Sequence, residues 1–342
     1  MPESKYSISG IKNGISILFF YHGGEYMTSR ELPINLDEQV ISIKKYVVFR
    51  QKKRMRNFLK YAGYFRVSRY GKYLLSFVES IGSKPKQDML FQLYEFDAAL
   101  RGILGSYCNK VEVQFKSAVS NAVSIKTQNA GFYLEKEYYT PSKSEKDAKK
   151  RRNNIFLFDR FFGNITEKEK SLRKDVMRYP ELKEYRKGGS RHENCIPVWA
   201  AFAYFDFGTV SMLYSYLQGD LRKEVLNYAF SKKKYRKEAT KQVDTWLDAV
   251  RNLRNYCAHN SMISGMTSSV VIRDLNDDRE RLPKDTDLFS RLYALKKLLT
   301  AEEAENLEKE IQKLLKKTKF NVYQLHILPP NWIELYDAIA VF

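Results

Sequence analysis

The sequence predicts a mainly α protein. Apolar residues recur at three- and four-residue steps through long windows, above all 89–122 and 246–253. Hydrophobic residues fill 44% of the 342 positions and aromatics 14%, enough for a large core and too many for a disordered chain. No internal repeat or long low-complexity linker interrupts the pattern.

The elements follow in order. The first 30 residues are the least helical. Within them 15–21 are β-branched and aromatic and lie between Gly14 and the pair Gly23-Gly24, which predicts a short strand or β-hairpin. From Leu36 to about Tyr61 the pattern turns helical. Residues 89–122 read as one long helix or a broken pair. Leu93, Phe96, Leu100, Ile103, Leu104, Tyr107, Val111 and Phe115 keep helical spacing, while Tyr94, Asp97, Arg101 and Glu112 supply polar positions. The basic stretch 142–154 is either an exposed loop or the solvated start of a helix.

Residues 198–217 carry a single charge, Asp206, and resemble a membrane span. A mid-bilayer aspartate is costly, and Gly208 stands beside it, so a buried helix kinked or broken near Gly208 is expected instead. Thr300 and Glu303 have capping-box spacing. They open a helix with Leu307, Ile311, Leu314 and Leu315 on one face and Lys313, Lys316, Lys317 and Lys319 toward its end, where the dipole favours cations. Three regions are expected: 1–85, basic, aromatic and partly helical; 86–265, a helical core with a basic insertion near 142–154; and 266–342, a C-terminal helical region packed on that core.

With 59 lysines and arginines against 40 acids, the formal charge is +19. Such an imbalance repels itself unless a polyanion compensates it, which points to nucleic acid or an anionic membrane surface. Residues 50–72 hold nine cations and no acid: Arg50, Lys52, Lys53, Arg54, Arg56, Lys60, Arg66, Arg69 and Lys72. Phe58, Tyr61, Tyr64, Phe65 and Tyr70 are interleaved with them. Cations neutralise phosphates and aromatic faces stack bases, a mixture that suits RNA, although the aromatics are expected chiefly in the core. Lys232, Lys233 and Lys234 add a second basic cluster.

Cys108, Cys195 and Cys257 are odd in number and widely spaced, with no metal-ligand or CxxC pattern, as for reduced thiols in a cytoplasmic protein. The N-terminus lacks a basic region followed by an apolar run, so no secretory signal is expected. No GxxxxGK[ST] loop or metal-binding carboxylate pair suggests a nucleotidyltransferase or kinase, and no recognition-helix pattern suggests a DNA-binding regulator.

The candidate chemistry lies in 246–260, WLDAVRNLRNYCAHN. Trp246, Leu247, Val250 and Leu253 form a buried stripe, after which Arg251, Asn255 and His259 follow at successive four-residue steps on one face. Arg254, about 60° round from Arg251, reaches toward the same spot. A cation, an amide and an imidazole gathered without a carboxylate suit a phosphate. The bland alternative has His259 capping a helix end and Arg254 pairing with a nearby acid. Arg186 and His192 have similar spacing, but the glycines of KGGSRH argue for a loop there.

Several segments, in order, resemble the Abi-like (AbiD/AbiF) abortive-infection family of bacterial phage-defence proteins: LDEQV (36–40), YAGYFRVSRY (61–70), YEFDAALRGIL (94–104) followed by Glu112, PVWAAFAYFDFGTVSMLY (197–214), 246–260, and LPPNW (328–332). Arg69 replaces the usual glycine of the second block, and SMIS follows His259-Asn260 where relatives often carry arginine and tryptophan. The resemblance implies a helical bundle of the HEPN superfamily, whose RNases share Arg-x(4–6)-His with a polar residue after the arginine. Arg254, Asn255 and His259 satisfy that motif. It further implies metal-independent RNA cleavage without a cofactor, Arg251 as a secondary phosphate contact, and a homodimer that faces two motifs. RNA is the implied partner, as substrate and as a structured noncoding RNA that restrains toxicity, with no membrane involved. The alternative is a non-catalytic RNA-binding protein on the same scaffold.

Overall fold

The structure, a computed structural model, describes residues 34–78, 83–141, 146–186, 195–230, 239–273 and 282–341. The strand or hairpin expected at 15–21 and the cluster Lys232, Lys233 and Lys234 lie outside them, as does His192. The fold is mainly α, and the described residues hold only two isolated β-bridges, Val48 with Lys86 and Tyr139 with Leu217.

Among the described residues three helices come first: α1 (Leu36–Ile43), α2 (Lys52–Ala62) and α3 (Tyr64–Val78). Asn35 and Glu38 open α1 with a capping box. Gly63 separates α2 from α3 at φ +79°, a conformation that a Cβ would strain. The spine is α4 (Gln87–Thr127), one unbroken helix of 41 residues and therefore about 60 Å long. It buries Leu93, Phe96, Leu100, Leu104, Tyr107, Val111 and Phe115, with Ile103 half-buried. Two of its expected polar positions, Asp97 and Arg101, are also buried, a departure whose cause lies at the candidate site.

Next come α5 (Ala148–Lys174), capped by Asp147, then α6 (Val198–Tyr204) and α7 (Phe207–Tyr216). The apolar stretch 198–217 thus forms two helices, broken at 205–206. Asp206 is the N-cap of α7, with Oδ1 accepting from the Thr209 amide at 2.8 Å and Oδ2 from Lys168 Nζ at 2.5 Å. The lone charge of the stretch starts a helix. Among the described residues, no helix is long and apolar enough to cross a membrane.

α8 (Gly219–Ala229) and α9 (Ala239–Ala258) lie along α4, and α10 (Leu288–Leu298) lies against α9. The capping box of Thr300 and Glu303 opens α11 (Ala301–Lys317), which packs on α4, and α12 (Trp332–Asp337) follows. One continuous apolar core runs through the helices. In α9 the stripe Val243, Trp246, Leu247, Val250 and Leu253 faces it, and Trp246 Nε1 donates to the Arg273 carbonyl at 2.8 Å. That burial turns the opposite face of α9, with Arg251, Arg254 and Asn255, toward the surface.

Candidate functional site

α9 ends at Ala258, so His259 lies one residue beyond the helix expected to contain it. Its amide still donates to the Asn255 carbonyl at 3.0 Å, which preserves the helical register. The chain then turns left-handed at Asn260, φ 52°. The Ser261 amide reaches back to the Tyr256 carbonyl at 2.8 Å and the Asn260 amide to the Cys257 carbonyl at 3.2 Å. These two bonds define a Schellman motif with asparagine in the left-handed position. His259 is therefore the C-cap residue: exposed, one turn beyond the exposed Asn255, on a backbone position set by the motif.

A buried network fixes the segment that follows. Met262, Ile263 and Ser264 turn into the core, where Asp97 of α4 has 0% exposure. Its Oδ1 accepts from the amides of Ile263 at 3.1 Å and Ser264 at 2.6 Å; its Oδ2 accepts from Tyr70 Oη at 2.7 Å and from Arg101. Arg101 Nη1 also donates to Tyr70 Oη at 3.0 Å and to the Ser261 carbonyl at 3.4 Å. A buried carboxylate with four donors and a countercharge is well satisfied, and removing it would strand Arg101. Burial, then the charge of Asp97, push the Tyr70 hydroxyl well above its ordinary value, so it remains a donor. At Gly265, φ +67°, a Cβ would lie 2.1 Å from the Tyr73 ring, so α3 presses directly on the same turn.

The polar face of α9 is not free of carboxylates, contrary to expectation. Arg254 Nε is 3.6 Å from Glu112 Oε2, and the same carboxylate holds Lys116 Nζ at 2.7 Å through Oε1. Arg251 Nη2 pairs with Asp248 Oδ1 at 2.9 Å. The acids come from the neighbouring helix and from the preceding turn, positions the 246–260 motif does not include. Glu112 lies on the Nε side of Arg254. Burial raises the Asp248 carboxyl while Arg251 lowers it, with a net upward shift. Gly208 of α7 lies against Arg251, whose Cδ would be 3.5 Å from an added Cβ.

Cys257, beside this face, has its thiol pushed up to about 11 by burial, and burial also raises Cys108 well above its usual value. Neither is a thiolate at neutral pH, and all three cysteines are free. Among the described residues no group of three His, Cys, Asp or Glu is placed to hold a metal ion. What the surface offers is an accessible imidazole, an amide and guanidinium groups, which bind anions and move protons.

The expected RNA contacts occupy another surface. Arg50, Lys52, Lys53, Arg54, Arg56, Lys60, Arg69 and Lys72 are exposed, and Arg66 is half-buried. Several are already engaged: Arg54 pairs with Asp88 at 2.8 Å and stacks over Phe91, Arg56 meets Asp37 at 3.5 Å, and Lys72 lies over the Tyr46 ring. Lys53, Lys60, Arg66 and Arg69 form no ion pair with a described residue. The interleaved aromatics divide. Tyr70 is buried and Phe58 and Tyr64 are half-buried, but Tyr61 and Phe65 stand in solvent at 88% and 77% exposure.

Sequence reasoning missed two groups. Asp97 and Arg101 carried a signal, since an opposite-charge pair four residues apart sits on the apolar stripe of α4. Glu112 and Lys116 have the same spacing, but nothing local indicates that they face Arg254. Arg186, of the second spacing match, donates to the carbonyls of Leu172 and Asp175 and so serves a local structural role.

The Abi-like protein family matches over residues 57–264, more than half of the chain. The chain belongs to the Abi-like protein family. Membership implies a part in abortive infection, the phage-defence response. No curated protein and no solved structure matches it. The Abi-like span runs from α2 to Ser264, whose amide Asp97 holds, and so encloses α3, α4 and the whole His259 turn.

Proposed function

We propose that this Abi-like protein is a metal-independent endoribonuclease of the HEPN type, acting in the cytoplasm. The observation that carries the reading is His259, exposed on a C-cap set by the Schellman turn, one turn beyond Asn255 on the helix that also carries Arg254. In the proposed reaction the ribose 2′-OH attacks the adjacent phosphorus and the 5′-oxygen leaves. An imidazole takes the 2′ proton, and an imidazole protonates the departing oxygen, giving a 2′,3′-cyclic phosphate and a 5′-OH. Arg254 holds the phosphate and stabilises its developing charge, Asn255 orients the imidazole or a phosphate oxygen, and Arg251 is a secondary contact.

Two imidazoles require two copies, so the active form is a two-fold homodimer. The surface beside the turn suits close approach. Gly105 of α4 abuts Cys257, and the α4 positions Gly102, Ser106 and Asn109 next to it are exposed and small. The cations of α2 and α3 bind RNA outside the site, including a structured noncoding RNA that restrains toxicity.

The test is cleavage of a defined RNA in EDTA, with both fragment ends mapped. The parent should give cyclic phosphate and 5′-OH ends, and His259→Ala should give none while still binding RNA. Undiminished cleavage by His259→Ala would refute the assignment. RNA binding without cleavage by the parent, with toxicity governed by the α2–α3 cations, would instead make it a non-catalytic RNA-binding protein.

A further inference from the structure

The corner between α2 and α3 combines three features. Two large rings are almost fully exposed, Tyr61 in the last turn of α2 and Phe65 in the first turn of α3. Gly63, with φ +79° and open space around it, makes the tight turn that sets both rings on one corner. Cations surround them: Lys53, Asn57 and Tyr61 follow at four-residue steps along α2, and Phe65, Arg69 and Lys72 at four and three along α3. No acid occurs between residues 50 and 72, and Lys53, Lys60, Arg66 and Arg69 are free of ion pairs with described residues.

Solvating two such rings is unfavourable, and folding has not hidden them although Tyr70, on the same helix as Phe65, is wholly buried. A protein partner for this cationic, aromatic corner would have to be strongly acidic and apolar at once. A nucleic acid strand supplies both demands in one repeating unit: a phosphate for each cation and a flat base for each ring. Duplex RNA keeps its bases stacked inside and offers no face to a ring, so the fit is to unpaired nucleotides.

We propose that the α2–α3 corner is a base-stacking platform for single-stranded RNA, in which Tyr61 and Phe65 take unpaired bases and Lys60, Arg66 and Arg69 take the neighbouring phosphates. This deepens the proposed function, since it names the form of RNA that the α2–α3 cations hold, and it stands on a surface separate from His259. A strand bound there is held by stacking and charge without base-edge readout, so its sequence matters little.

The experiment measures fluorescence anisotropy with two probes, a labelled 2′-O-methyl oligouridine and a 2′-O-methyl RNA duplex of the same length. Neither probe has the 2′-OH that the proposed cleavage requires, so the result is readable whether or not the protein is a nuclease. Tyr61→Ala with Phe65→Ala should weaken single-strand binding at least tenfold, given about 5- to 150-fold per stacked base. Duplex binding and the salt dependence should not change, because no cation is removed. Tyr61→Phe with Phe65→Tyr should restore parental affinity. Lys60→Gln with Arg69→Gln should instead flatten the log–log salt slope by about 0.7 per contact. Single-strand affinity within twofold of the parent in the alanine pair, or equal weakening toward both probes, would overturn the proposal.

Discussion

The His259 turn and the α2–α3 corner are both polar surfaces, but they are built in opposite ways. At the turn the backbone is held by several hydrogen bonds: a Schellman motif closes α9, and Asp97 and Arg101, with Tyr70 behind them, hold the next residues from below. At the corner the cations and rings reach into solvent with few partners. The contrast teaches what each surface suits. Chemistry requires an imidazole at a fixed place before the substrate arrives, and buried hydrogen bonds supply that order. Binding a flexible polyanion requires accessible charge and flat surface, which loose side chains supply better than rigid ones. The two surfaces are joined, since Tyr70 and Tyr73, which brace the turn, lie on the same helix as Phe65 and Arg69.

The sharpest way to break this contrast is to remove the brace. Asp97→Ala leaves a buried guanidinium and two buried amides unsatisfied, and breaking a buried pair from one side costs about 3–5 kcal/mol. Urea unfolding should show that loss, and cleavage should fall with it. Asp97→Asn, which keeps an acceptor for the Ile263 and Ser264 amides, should lose less stability. Equal stability of Asp97→Ala and the parent would mean that the turn does not depend on α4.

Next in size is the imidazole. His259→Ala should lower single-turnover cleavage by about 10²–10⁴-fold, as for loss of a general acid–base group, with unchanged thermal stability because the side chain is exposed. A large stability loss would show that His259 is a structural cap. Smaller still is the corner. Removing Lys53, Lys60 and Arg69 together as glutamines should weaken RNA binding at low salt and reduce the salt slope by about 0.7–0.9 per contact, with little change in stability.

How much of this was legible in the sequence depended on whether the cause was local. The helical character of 89–122 and the stripe of α9 follow from periodicity; one long helix and a broken pair both fitted that pattern, and the structure has a single helix that extends beyond it at both ends. The break before α7 was expected near Gly208 and occurs at 205–206, because Asp206 caps a new helix. Asp97 and Arg101 were placed among polar positions, since a charge pair at that spacing usually lies on a solvated face. Their burial is decided by amides more than 160 residues away in sequence. Glu112 opposite Arg254 is the same kind of case. Tyr61 and Phe65 were expected in the core with Tyr70, but helical spacing cannot report that α2 and α3 meet at a corner the core does not reach.

The smallest expected effect concerns Asp206. Burial raises its carboxyl, but hydrogen bonds from Lys168 and Thr209 outweigh this and hold it well below the ordinary aspartate range. A depressed native value contributes stability above the unfolded value of about 3.9, lost as pH falls through the folded one. Asp206→Asn should therefore be less stable than the parent at neutral pH, the difference shrinking in acid. A constant difference across an acid titration would place its contribution in capping geometry alone.

The division of labour itself is tested by one measurement: single-turnover cleavage at saturating RNA, compared between His259→Ala and the variant with Lys53, Lys60 and Arg69 replaced by glutamine. The first should bind RNA and not cut it, while the second should need more RNA to saturate but then cut at nearly the parental rate. Cleavage by His259→Ala at the parental rate would contradict it.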